Sequence, residues 1–478
     1  MGHRHGHDTA AIRDVRVART PQRILLTTLI VVGVVTIVGL LLLWPSAARP
    51  GVLATGSASA RNTTYPTGEI LKLTDCADRP PSAGGSGGAP GSGSGGAGVD
   101  PNGQSGSGGG AAPAAGGAAP APCLIAQVRI ESGARAGDKV TTMLNGPFAR
   151  AGLRPGDRLE LQVTEVPGRA KVPQPGGVDP GISAFGVVRT VPLAVWAGLF
   201  ALVVVVVGLL RGLLALVGLV FSGAMIVMFM LPALLHAGPA MAIALVGSSA
   251  ILYVVLYLAH GISMRTSAAL AGTLAGVVIT AMLAQLAVGT TRLSGIDESG
   301  GFLAPMVPQV DFQGLLTCAI IIAGLGVLND VTITQSSSVW ELRAVAPELS
   351  RRQLFSRAMR IGRDHIASTI YTIVFAYVGA SLSVVLLLYV YDQPMVSLLS
   401  LEDIATEVVR TLCSGIGLVL AVPLTTAIAV ALLPPRSAVS GEPMPASLGD
   451  DDAEKVAWLR TLRTVEDQPL TRPSPRTG

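Results

Sequence analysis

The chain has 478 residues, half of them apolar and only 13% charged, where a water-soluble domain carries about 25% charged residues, so an ordinary soluble globular protein is excluded. The formal net charge of +4 comes from 34 basic and 30 acidic residues. The arginines gather beside apolar segments, as membrane orientation requires, and the positive balance implies no nucleic acid.

Residues 1–23 are polar and basic, with Arg4, Arg13, Arg16, Arg19 and Arg23. His3, His5 and His7 alternate there, a pattern that binds transition metals opportunistically; it reads as a solvated cytoplasmic tail, with no metal centre and no cofactor expected. The apolar run 24–44 exceeds the roughly 7–15 residues of a secretory signal core. It reads as an uncleaved transmembrane anchor, although Ser46-Ala47-Ala48 has the character of a cleavage site.

Residues 45–191 contain no run long enough to span a bilayer and read as a small extracytoplasmic β-rich domain, a barrel or sandwich. Strands are expected at 68–73 and 123–130, and turns at 136–139 and 154–158 lead into Val140 and into 159–163. The tract 80–122 is nearly all Gly, Ser, Ala and Pro; it lacks the apolar surface to offset its ordering entropy and reads as a flexible insertion. Cys76 and Cys123 bracket it. A disulfide between them is expected to hold the flanking strands together, contributing roughly 4 kcal/mol by the chain-entropy estimate.

From 192 to 433 the chain reads as a membrane domain of seven helices, near 193–210, 213–235, 239–259, 266–288, 314–335, 366–391 and 404–433. With the anchor this makes an α-helical polytopic membrane protein of about eight transmembrane helices. Arg211-Gly212 divides the first two, and Pro192, Pro239 and Pro394 sit at boundaries, where proline costs least. With the N-terminus inside, Arg211, Arg265, the segment 336–365 and Arg436 all fall in the cytoplasm, as the positive-inside rule demands. Both termini are then cytoplasmic, and residues 434–478 read as a mostly disordered cytoplasmic tail with a short helical patch around 456–462.

Helix 314–335 is the most informative. Leu315 to Leu328 supply only 14 strongly apolar positions, too few to cross a hydrocarbon core of about 30 Å at 1.5 Å per residue. The helix must therefore continue through Asn329-Asp330-Val331-Thr332-Ile333-Thr334-Gln335, which puts an ionisable side chain at membrane depth. Such a residue is expected to face a bundle interior or a watery cavity. Asp330, Thr334, Ser337 and Glu341 fall within about 40° of one another, a polar stripe. Two readings stand open: an ion, proton or substrate site, or a helix end at the interface with Asp330 hydrated. Asp330 is the sole acidic residue well inside a span; Glu407 lies near an outer end, three residues from Arg410.

The stretch Gly326-Val-Leu-Asn-Asp-Val-Thr-Ile-Thr-Gln-Ser-Ser-Ser-Val-Trp-Glu-Leu342 resembles the signature segment of the YibE/F family of bacterial multi-pass membrane proteins. The resemblance covers roughly residues 120–435 and includes the arginine shortly before the first helix, in Phe185-Gly-Val-Val-Arg-Thr-Val-Pro-Leu193. It is specific at 326–342 and general elsewhere. It implies the layout of anchor, outer domain and helical membrane domain, but no defined activity. Asn329, Asp330, Thr332, Thr334, Gln335 and Glu341 match the motif and are the candidate polar site.

Ser350-Arg-Arg-Gln353 has the form of a capping box. The helix it opens carries Leu354, Phe355, Ala358, Met359 and Ile361 on one side and Arg352, Arg357, Arg360 and Arg363 on the other. That pattern suits the anionic inner leaflet of the bilayer, or a basic loop that only fixes orientation. In the last helix Pro423 interrupts the apolar run. Cys318 and Cys413 lie in apolar helices as small hydrophobes. No phosphate loop, HExxH motif or serine–histidine–acid arrangement is present, so no enzyme activity is expected. The expectation is a permease for an unknown small solute, with a polar site on helix 314–335. The alternative is a non-transporting sensor or envelope-assembly protein that meets an envelope partner through its outer domain.

Overall fold

The computed structural model describes residues 17–45, 63–76, 123–164, 178–179, 181–390 and 394–434. The histidine-bearing start, residues 46–48, the insertion 80–122 and the tail from 435 lie outside them. The chain divides into two units, Gly51–Val203 and a second made of Met1–Pro50 with Val204–Gly478.

The first unit is built on an antiparallel sheet of β1 (Thr63–Thr64), β2 (Thr67–Asp75), β3 (Cys123–Ile130), β4 (Lys139–Asn145), β5 (Arg158–Thr164) and β6 (Ile182–Val187). β2, β3 and β4 form a meander, and β5 carries β1 and β2 along one side and β6 along the other. The sheet curls back on itself. Asp179 donates its N–H to the Thr141 carbonyl, its carboxylate accepts from the Thr141 N–H, and the Thr142 hydroxyl donates to the Ile182 carbonyl. Alternation along the strands fills the interior. Ala126, Val128 and Ile130 of β3 and Leu159, Leu161 and Val163 of β5 point inward, while Gln127 and Arg129 point out. The two expected turns each need a glycine in the left-handed region, and Gly137 (φ 96°) and Gly156 (φ 97°) supply it. Cys76 and Cys123 are bonded, their Cα atoms 5.6 Å apart. β6 was not expected: it is six residues long and contains Gly186, too short and interrupted for a clear alternation.

The helical elements are α1 (Arg19–Leu43), α2 (Thr190–Met225), a π-helical turn (Ile226–Met230), α3 (Leu231–Leu235), α4 (Ala240–His260), α5 (Met264–Thr291), α6 (Glu298–Leu303), α7 (Phe312–Val345), α8 (Arg351–Ala380), α9 (Leu382–Val390), α10 (Met395–Leu398) and α11 (Glu402–Leu432). Among the described residues six helices are long and apolar enough to cross a membrane: α1, the run Thr190–Leu235, α4, α5, α7 and α11. The run Thr190–Leu235 is 46 residues long, and nothing in its most apolar window is buried. A helix apolar all round belongs in lipid rather than in water, which fits an integral membrane protein.

That 46-residue run is not one rod. Leu209 has φ 50° and ψ −135°, outside the helical region. A Cβ at Gly212 would strike the Val204 carbonyl oxygen; in an unbroken helix residues eight apart stand about 12 Å from each other. The chain therefore bends sharply at Leu209, two residues before the expected Arg211-Gly212 break. α8 departs differently. A surface helix opening at Ser350 and a separate span from 366 were expected, but the helix runs unbroken from Arg351 to Ala380. Gly362, just before that expected junction, is packed against Val422 and Gln335, so it serves close approach rather than a break.

Within this second unit α5, α7 and α11 form the centre. α4 flanks α5 and α7, and α8 packs on α11 and α7. α1 runs antiparallel to α4: Gly33 lies against Tyr253 and Gly39 against Val246, and the Tyr253 hydroxyl donates to the Leu29 carbonyl at 2.6 Å. Two ends can be told apart. At the basic end the Ala18 N–H donates to the Leu432 carbonyl and the Arg351 guanidinium donates to the carbonyls of Ala431 and Leu433. At the acidic end the Glu402 carboxylate accepts from the backbone N–H groups of Ser294 and Gly295, at 2.7 and 3.0 Å.

Candidate functional site

α7 starts at a sound cap, the Asp311 carboxylate accepting from the Gly314 N–H, and runs without interruption through the polar stretch to Val345. Its length lets the motif residues occupy two faces. Asp330 and Thr332 are two residues apart, which on a helix places them about 160° from each other. Thr332 is buried and shares a hydrogen bond with Thr273 of α5. Gln335, 1% exposed, donates through Nε2 to the Thr426 hydroxyl of α11 at 2.7 Å and to the Ala358 carbonyl of α8 at 3.0 Å. Ser336 donates to the Arg265 carbonyl at 2.8 Å. On the other face Asp330 and Glu341 are exposed and Thr334 is half-buried, its hydroxyl donating to the Asp330 carbonyl. Asn329 lies between the faces, and its Oδ1 is buried without a partner. The six motif residues therefore do not form one site. Thr332 and Gln335 join the packed interior, while Asp330 and Glu341 line an open side.

The packed side continues along α5, α7 and α11 as a seam of small and hydroxyl-bearing residues. A Cβ at Gly272 would strike Thr425, one at Gly417 would strike Thr280, and one at Gly276 would press on Ala421 and Leu328. The threonine hydroxyls are satisfied within their own helices, Thr280 on the Gly276 carbonyl, Thr425 on Ala421 and Thr426 on Val422. This is how membrane helices approach closely without a hydrophobic driving force: small residues remove bulk and hydroxyls bond inward. Pro423, without an N–H, leaves the Val419 carbonyl without its usual helical donor, yet α11 runs through it from Glu402 to Leu432. Gln335 Oε1 remains buried and unpartnered in this seam.

The open side has a charged neighbourhood. Ser336 is level with Arg265 at the start of α5, and Asp330 lies six residues earlier in α7, about 9 Å deeper along the axis. His260, the last residue of α4, is within electrostatic reach of Asp330, Arg265 and Arg211. Gly326, one turn deeper still on the Asp330 face, has open space where a side chain would stand.

At the basic end Arg343, 4% exposed, donates to the carbonyls of Pro347 and Leu349 at 3.0 and 2.9 Å. It thereby fixes the turn that delivers Ser350. Ser350 and Gln353 form the full capping box. Leu354 and Ala358 of the helix so begun are buried, Phe355, Met359 and Ile361 are half-buried, and Arg352, Arg357, Arg360 and Arg363 are exposed. At the acidic end a cavity of about 430 Å3 opens between α8, α9 and α11. It is lined partly by Asp297, Asp403, Tyr377 and the Glu407–Arg410 ion pair (2.8 Å). Sequence reasoning noted the last two without assigning them a site. Their spacing of three on a helix was the available signal; the wall supplied by α8 and α9 was not legible.

The family model for YibE/F-like proteins matches residues 196–435, a range that holds the seam, the Asp330 face and the cavity lining. Comparison with curated proteins and with solved structures returned no match.

Proposed function

Because the chain belongs to the YibE/F-like family, we propose that it is a multi-pass protein of the bacterial plasma membrane working as a permease for a small solute. In this reading the bend at Leu209 divides the run Thr190–Leu235 into two spans, and α8 with α9 makes another, for eight in all. The basic end faces the cytoplasm and both termini lie there. Arg352, Arg357, Arg360 and Arg363 rest on the anionic inner leaflet, where each basic residue contributes on the order of 1 kcal/mol. The tight seam of α5, α7 and α11 is the barrier, and the Asp330 face is the polar route up to it from the cytoplasm.

The observation that carries the reading is Asp330 itself: a carboxylate about 9 Å inside the bundle end, exposed, and within electrostatic reach of His260, which Arg265 and Arg211 also approach. A charge at that depth facing lipid costs a few kcal/mol even on insertion scales, so water in contact with it is the economical arrangement.

Thiol accessibility tests it. In protein lacking Cys318 and Cys413, single cysteines at 330 and 334 are expected to react with a small charged reagent applied from the cytoplasmic side of membranes, while one at 333, buried against the core, does not. Sealed thiols at both 330 and 334 would remove the aqueous route. With the route open, Asp330→Asn in proteoliposomes is expected to abolish coupled ion flux while leaving the melting temperature unchanged.

A further inference from the structure

The acidic-end cavity lies apart from the Asp330 face. Its walls are apolar, with Val378, Val385 and Leu412 among them, and about 430 Å3 is the size of pockets that take small organic ligands. Its charges are unbalanced. Three carboxylates, Asp297, Asp403 and Glu407, stand against one guanidinium, Arg410, giving a formal sum of −2. Glu407 and Arg410 neutralise each other at 2.8 Å. Asp297 accepts one bond, from the Gly300 N–H, and Asp403 makes neither an ion pair nor a hydrogen bond among the described residues.

Thr406 is a second, independent sign. It is 8% exposed and lines the cavity. The threonines near it in α11 turn their hydroxyls back to their own helix, Thr411 to Glu407, Thr425 to Ala421 and Thr426 to Val422. Thr406 makes no such bond among the described residues. With no partner of its own on the cavity wall among the described residues, the Thr406 hydroxyl leaves an oxygen free to face a bound positive charge.

We propose that this cavity binds a monovalent organic cation with an apolar body, of the ammonium or phosphonium class. The apolar walls take the body, Asp403 and Asp297 take the charge, and the Tyr377 ring offers a face of the kind that attracts cations. A small anion meets a net negative lining. An inorganic divalent ion lacks a suitable donor set, since no group of three or more His, Cys, Asp or Glu side chains able to hold a metal occurs among the described residues.

The test uses the full chain purified in detergent and two ions of nearly equal size and apolarity but opposite charge, tetraphenylphosphonium and tetraphenylborate. Equilibrium dialysis is expected to show saturable binding of one tetraphenylphosphonium per chain. Asp403→Asn, at an exposed position, is expected to weaken it about five- to tenfold, the effect of losing one partly screened charge. Leu412→Trp, which fills the cavity, is expected to abolish it. No saturable binding of the cation overturns the proposal, as does an Asp403→Asn chain that binds it unchanged. Tetraphenylborate binding as tightly, or displacing a co-purified phospholipid that tetraphenylphosphonium leaves in place, also overturns it, because the cavity is then an apolar lipid groove. The readout is binding and not flux, so failure here is separable from failure of the Asp330 route.

Discussion

Gln335 and Asp330 share one helix and one motif but meet opposite demands. The Gln335 amide donates to acceptors on two other helices, α8 and α11, and its own carbonyl oxygen lies where a Cβ on Gly362 would come within 2.9 Å. Replacement by Met, of similar volume, removes both bonds but strands little, because the Thr426 hydroxyl keeps the Val422 carbonyl. A loss of about 1–2 kcal/mol is expected. Replacement by Glu buries an unpaired charge and is expected to cost about 3 kcal/mol or more. Melting in detergent separates the two, and equal shifts would show that the site is not dry. The motif made both residues legible as polar positions at depth, but not which of them faced inward. α7 packs on several sides, so its apolar residues are spread around the helix and periodicity names no single face.

At the scale of elements, the central helices are spaced by glycine. Gly272 of α5 opposes Thr425 and Gly417 of α11 opposes Thr280, so the two helices are notched into each other twice. Ala at either glycine is expected to destabilise by about 1–3 kcal/mol through overpacking. Pairing Gly272→Ala with Thr425→Ala should cost less than the sum of the single changes, since the two side chains contend for one space; additive losses would mean that the helices simply move apart. Most of these elements were legible. Capping at Ser350, boundary prolines and long apolar runs are local signals, and they predicted α4, α5, α11 and the start of α8 closely. The close approach was not, because a glycine reads alike whether it breaks a helix, as expected beside Arg211, or admits a neighbour, as Gly362 does.

For the whole molecule, the eight-span reading makes a parity prediction. Single cysteines at 150, 236 and 360 are expected to divide two to one: those at 150 and 236 label from outside intact cells with an impermeant reagent, and that at 360 only after the membrane is opened. If 236 behaves as 360 does, the run Thr190–Leu235 crosses once and the count falls. The sequence placed the break within two residues because Arg211 and Gly212 mark it chemically. It could not show how sharply the chain bends there, which rests on the backbone of a single residue, Leu209.

The bond from the Ala18 N–H to the Leu432 carbonyl has a consequence in time. It joins residues 18 and 432, 414 positions apart, and at about 5–20 residues per second the ribosome needs roughly 20–80 s to get from one to the other. α4 and α5, on which α1 packs, are made well before that, so the partners of its body precede the partner of its first turn. Among the described residues the helical unit is therefore latched by the last helix made: a chain that stopped before Leu432 would carry an N-terminal anchor without the acceptor of its Ala18 N–H.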